Sequence, residues 1–152
     1  MRAGKVQQNV FLLQRKIELG KRMSEVWLEQ AIWDLRAAEH SVKIGFNEWS
    51  CFQAEQSAEK ALKAIIVSTG KKAPPIHKLS ALIGIVKKEK REISQQYIDI
   101  STLQAFTFIA RYPFLLPGEY QAPHNYITEK EAKQCIKEAW KVIELTKNLL
   151  KN

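Results

Sequence analysis

The sequence predicts an all-α fold: an up-and-down antiparallel bundle of four to five helices with short links. Two observations carry that expectation. Apolar residues recur at spacings of three and four along most of the chain, the period of a helix face, and no segment alternates as a strand does. Boundary residues then fall where such helices should stop, at Gly45, Gly70 and Pro113, and where one should start, at a Thr128–Glu131 capping box. With 152 residues, 45% of them hydrophobic and 26% charged, the chain has the composition of one soluble globular domain with a substantial core.

Residues 1–22 read as a basic N-terminal arm. Arg2, Lys5, Arg15, Lys16, Lys21 and Arg22 stand against Glu18 alone, giving +5 of the net +8, so the other 130 residues carry only +3. A charge balance of that size on the body is weak evidence for nucleic acid. Leu13 and Ile17 can share a short helix between Val10 and Gly20, leaving the arm either free or packed on the body through Phe11, Leu12 and Leu13. Residues 23–152 are then the bundle domain, with Met23 as an alternative start. Ser24 as N-cap and Glu25 in the first turn open a helix to about Lys43. Its stripe is Leu28, Ala31, Ile32, Leu35, Ala38 and Val42, with Trp27 and Trp33 at the edges as core rim or subunit interface.

The organising element is Asn47–Gly70. Cys51, Ala54, Ala58, Ala61, Leu62 and Ile65 share one side, small enough for a neighbouring backbone to come close. Beside them runs a polar row of Gln53, Gln56, Glu59, Lys60 and Lys63. A Gly-Lys-Lys-Ala-Pro-Pro loop follows, then a short helix from Ser80 to about Lys88. A fourth helix is expected over Ile93–Ala110, with Tyr97, Ile100, Leu103, Phe106 and Ala110 inward. It stops before Pro113, which pushes its predecessor out of helical geometry. Residues 111–127 read as a structured, Pro- and Tyr-rich loop of a length often associated with function. The capping box then opens a last helix to about Leu150.

Cys51 and Cys135 lie far apart in apolar stripes and read as two buried, reduced thiols, with a disulfide as the alternative. No CxxC or HExxH spacing is present, so neither metal nor cofactor is expected. The longest apolar run near the N-terminus, Val10–Leu13, is too short for a signal sequence, and no stretch is long enough to span a membrane. A cytoplasmic protein is expected.

Several segments together resemble one known family. Trp27–Ala31 with Asp34–Ala38, then Ala54–Ile65 (AEQSAEKALKAI), His77-Lys-Leu79 with Leu82, Ala110-Arg-Tyr-Pro113 and the capped last helix resemble the HEPN domains, higher eukaryotes and prokaryotes nucleotide-binding, over about residues 24–150. The resemblance implies a small bundle that usually forms a homodimer. In prokaryotes it implies a partner, a minimal nucleotidyltransferase, within toxin–antitoxin or defence modules. Many members are metal-independent ribonucleases carrying Arg-x(4-6)-His. Here Arg36 and His40 have three residues between them and Arg111 and His124 have twelve, so no Arg–His pair has that spacing. The implied role is therefore that of the Arg-Tyr-Pro branch, binding a nucleotide or a partner without catalysis. A ribonuclease and a purely structural dimeric module are the alternatives.

The candidate nucleotide-binding residues are Lys60, Lys63, His77, Arg111 and Tyr112. Lys60 and Lys63 either bind phosphate or are solvated charges paired with Gln56 and Glu59. His77, just past the Pro-Pro loop, either caps a helix or meets a phosphate. Arg111 either meets its own helix's last carbonyls or forms a bidentate contact with a phosphate or buried carboxylate. Tyr112, Tyr120 and Tyr126 either stack on a base or pack the loop. His124 could serve as acid or base, though no sequence neighbour supports it. Glu55 and Glu59, four apart, read as a metal pair or as a solvated ion-pair face.

Overall fold

The computed structural model describes residues 2–113 and 121–151. Among these residues six α-helices follow one another: α1 Arg2–Lys43, α2 Asn47–Ser68, α3 Leu79–Glu89, α4 Ser101–Phe106, α5 Pro123–Tyr126 and α6 Glu129–Lys151, with a 3-10 turn at Arg91–Ile93. The described residues contain no strand, so the all-α bundle is as the periodicity predicts.

α2 is the hub, touching α1, α3, α4, α5 and α6. Ala54, Ala58 and Ala61 are fully buried, and the close approach they allow is visible in the polar contacts beside them. Ser57 donates to the Ala31 carbonyl of α1 at 2.7 Å and Ser50 to that of Ala38 at 2.8 Å, so two α2 hydroxyls reach the α1 backbone itself. On the opposite flank Thr146 of α6 donates to the Ala61 carbonyl at 3.2 Å. α2 ends as its glycine predicts, with Gly70 at φ +82.

Three boundaries differ from the expectation. α1 does not start at Ser24 but runs through it from Arg2. The Ser24 hydroxyl donates to the Lys21 carbonyl at 2.7 Å within the helix, so it caps nothing. The helix expected over Ile93–Ala110 is broken, and only Ser101–Phe106 is α-helical. The cause lies outside the segment: Asp99 accepts from the Ser101 backbone at 3.1 Å, and the buried Glu138 of α6 accepts from the Thr102 and Leu103 amides at 3.2 and 3.0 Å. Together they fix a helix N-terminus at Ser101. Tyr97, expected inward, lies before that start and is 82% exposed. Finally, part of the 111–127 loop is helical, as α5, while residues 114–120, with Tyr120, fall outside the described residues.

At α6 the capping box forms as read. The Thr128 amide donates to Glu131 at 2.7 Å and the Glu131 amide to the Thr128 hydroxyl at 3.3 Å. Cys51 and Cys135 are free thiols buried face to face, Sγ to Sγ 3.0 Å. That hydrogen bond, then burial, pushes the Cys135 thiol far above its ordinary range. Among the described residues no helix is long and apolar enough to cross a membrane.

Candidate functional site

Where α2, the start of α3 and the turn after α4 meet, a groove of about 690 Å³ opens. α2 contributes Phe52, Glu55, Gln56 and Glu59, spaced by three and four and therefore on one face. His77 and Leu79 form a second wall, and Gln104, Thr107, Phe108 and Arg111 the third. The mixture is apolar rings with a few convergent polar groups, the usual make-up of a small-molecule site.

Arg111 sits at the centre of the polar side. The Phe106–Arg111 turn carries it past the end of α4, and its Nε donates to the Thr107 carbonyl at 3.2 Å. Its guanidinium lies over the rings of Phe52, Tyr112 and Phe108, at 4.8, 5.2 and 5.5 Å from their centroids. Three rings around one cation hold it in place and strip part of its water, which strengthens its attraction for an anion. Arg111 also lines a second, shallower cleft with Glu48, Trp49, Tyr112, Pro123 and His124. The cation thus lies between His77 on one side and His124 on the other.

His77 is anchored rather than capping. Its Nδ1 lies 3.1 and 3.2 Å from the two Glu59 oxygens while the side chain stays exposed. Glu59 in turn accepts from Lys63 Nζ at 2.7 Å, and both are only 5% exposed. Lys63 also lies over the Trp27 ring, 5.8 Å from its centroid. Lys60 pairs with Asp34 of α1 at 2.7 Å and reaches Gln56 at 3.5 Å. Of the five candidate residues, then, the structure brings His77 and Arg111 onto one groove and puts Tyr112 against Arg111. Lys60 and Lys63 are turned toward α1, behind that wall. Glu55 and Glu59 are not a solvated face: a helix surrounded by five others has little surface to give them. Among the described residues no three His, Cys, Asp or Glu side chains gather as a metal site.

Glu55 is the groove residue that periodicity could not rank. It is 2% exposed and lines the groove. Burial, with a smaller push from Glu59, lifts its carboxyl from the ordinary 4.5 to about 7, against the opposing pull of the Gln56 hydrogen bond at 3.0 Å and the nearby Arg111. Near neutral pH the groove therefore holds a carboxyl poised between donor and charged acceptor, beside a fixed cation.

The family model of the HEPN domain matches residues 24–149. A candidate toxin of Methanocaldococcus jannaschii is 24% identical over 140 residues, covering 86% of this chain and 90% of its own length. Human sacsin matches 72% of this chain at 29% identity, but with 2% of its own length. Among solved structures, one from Thermus thermophilus superposes with a TM-score of 0.69 at 25% identity, covering 83% of this chain and 97% of the other. An archaeal HEPN homologue gives 0.60 at 27% identity, with coverages of 84% and 97%. A Thermotoga maritima HEPN domain protein gives 0.55 at 26%, with coverages of 83% and 98%.

Proposed function

The chain belongs to the HEPN domain family, and from that premise we propose that it is a nucleotide-binding member of a prokaryotic toxin–antitoxin-type module, acting without catalysis. The observation that carries the reading is Arg111: a guanidinium held by three rings in the wall of a groove it shares with His77. Its Nε is engaged by Thr107, so a phosphate would meet the η edge, the fork that suits two phosphate oxygens. His77, fixed through Nδ1, can donate from Nε2 to the same anion when the ring carries both protons. Phe52 and Phe108 supply the flat apolar surface a base needs, and Gln56, Gln104 and a protonated Glu55 supply its polar contacts. Lys63 acts one step back, holding Glu59 and through it His77, while Lys60 steadies Gln56. Tyr112 keeps Arg111 flat from the other side. The module's second component is a minimal nucleotidyltransferase, and the HEPN chain works as a cytoplasmic homodimer. The candidate toxin of M. jannaschii supports the toxin–antitoxin setting.

Calorimetry with ATP and GTP tests this. Arg111→Ala is expected to weaken binding at least about tenfold, the loss of one charge-assisted contact, with the helical circular dichroism unchanged. Equal affinity in the two proteins overturns the proposal.

One observation favours a second reading, a metal-independent ribonuclease: Arg111 is shared by clefts that carry His77 and His124. A cation and an imidazole flanking a phosphodiester are the parts that attack by a ribose 2′-hydroxyl requires. Single-stranded RNA left intact by concentrated protein, with and without EDTA, eliminates it. Cleavage that survives EDTA and is lost in Arg111→Ala supports it over the first.

A further inference from the structure

The first part of α1 carries an apolar seam that the bundle does not cover. Val6, Val10, Leu13 and Ile17 are spaced four, three and four apart, and Gly20 and Ser24 continue the series. Gly20 and Ser24 are buried, and a Cβ added at Gly20 would stand 2.6 Å from the Val67 carbonyl of α2. From residue 19 back to residue 4 every side chain is exposed. The face that packs the core downstream thus continues, exposed, for about 24 Å beyond the end of α2. Val6, Val10, Leu13 and Ile17 are 48% to 62% exposed.

Two features identify the occupant. The seam alternates four and three, the a/d pattern that accepts another helix by knobs-into-holes packing. Phe11, Leu12 and Leu19, 55% to 61% exposed, stand on other sides of the helix, so its apolar residues do not merge into the one broad face that lies in a lipid surface. The positions flanking it carry Gln7, Asn9, Gln14, Lys16 and Lys21, cationic or neutral and without an acid. Glu18, the arm's one carboxylate, faces Arg22 at 3.6 Å. At its body end the seam runs into a hollow of about 390 Å³, where Ile17 and Leu150 lie within a rim of Lys21, Lys90, Lys147 and Lys151, with Glu25 as the single acid. A second copy of this arm alongside in parallel would set Lys16 against Lys21, and one running antiparallel would offer these lysines only the neutral Asn9 and Gln7, whereas a carboxylate-flanked helix gives them a charge partner.

We propose that the Val6–Ile17 seam and the lysine-rimmed hollow below it form a docking surface for an amphipathic helix of a partner protein, one whose apolar a/d seam is flanked by Glu or Asp. The surface is separate from the Arg111 groove and does not depend on a ligand there.

The test titrates the full-length protein with two labelled synthetic helices of about three heptads, identical at a and d. One carries Glu at e and g, the other Lys, and fluorescence anisotropy reports binding. The Glu peptide is expected to bind at least about tenfold more tightly, with an advantage that shrinks as salt rises. Leu13→Asp, a change on an exposed helix surface, should abolish most of that binding while leaving thermal unfolding in place. The double variant Lys16→Glu, Lys21→Glu should reverse the preference toward the Lys peptide. Arg111→Ala should bind the Glu peptide as the parent does, which separates this outcome from the fate of the nucleotide groove. The proposal is overturned by equal or absent binding of the two peptides. It is equally overturned if the Leu13→Asp change abolishes self-association in sedimentation, or binding to anionic vesicles or single-stranded RNA, in place of peptide binding.

Discussion

Replacing Glu55 with glutamine removes a buried groove carboxyl whose protonation changes near neutrality, and the cost of keeping it can be worked from the structure. An unfolded glutamate releases its proton near 4.5, whereas the buried Glu55 holds its proton to about 7. Each pH unit across which only the folded chain keeps that proton is worth about 1.4 kcal/mol, so the interval amounts to ~3 kcal/mol. The sign follows from which state binds more protons. The folded state does, so Glu55's favourable contribution is complete below about 4.5 and is lost as pH rises through about 7. Glutamine fills the same space, retains a hydrogen-bonding end and never ionises. The two proteins should therefore differ little near pH 4, while at about pH 8.5 Glu55→Gln should be the more stable by up to ~3 kcal/mol, a rise of roughly 6–12 °C in melting temperature. Urea denaturation followed by circular dichroism across that range measures it directly. Parallel stability curves from pH 4 to 8.5 would refute the claim that burial governs this carboxyl. The same titration bears on binding: nucleotide affinity should fall above pH 7 in the parent protein, as a second negative charge appears beside Arg111, and should stay flat in Glu55→Gln.

Other outcomes follow from single contacts. Glu138→Ala strips the buried carboxylate that receives the Thr102 and Leu103 amides, and should cost about 2–3 kcal/mol in urea unfolding; a loss under about 0.5 kcal/mol would mean that α4 does not need that cap. Gly20→Ala should destabilise the fold by more than about 1 kcal/mol although alanine is the better helix former, because the new methyl meets the Val67 carbonyl at 2.6 Å. Gly4→Ala meets nothing within 4 Å and should be neutral or raise stability by up to about 1 kcal/mol. Thermal melts of the pair decide whether the close approach or intrinsic propensity governs. Cys51 and Cys135, both buried and with Cys135 held protonated, should react with a thiol-specific disulfide reagent only at the rate of unfolding; prompt native labelling would contradict that packing.

The amino-acid sequence alone determined the helical class, the extent of α2 from Asn47 to its glycine stop, and the capped start of α6. Each of these is written in residues a few positions apart, so periodicity and capping rules read them without a partner. Residues brought in from far along the chain decided the rest. Ser24 resembles a cap, but only the packed α1–α2 pair shows the helix running through it. α4 begins where Glu138, more than thirty residues later, supplies its carboxylate. Lys63 sits on the same rod as the groove residues, yet the position of Trp27 and Glu59 turns it away from Arg111. Glu55 shows the limit most clearly. Its neighbours show only that Glu59 stands four residues on where Glu59 itself has Lys63; its lifted pKa comes chiefly from being enclosed by other helices, because desolvation is a property of the assembled fold and not of local sequence.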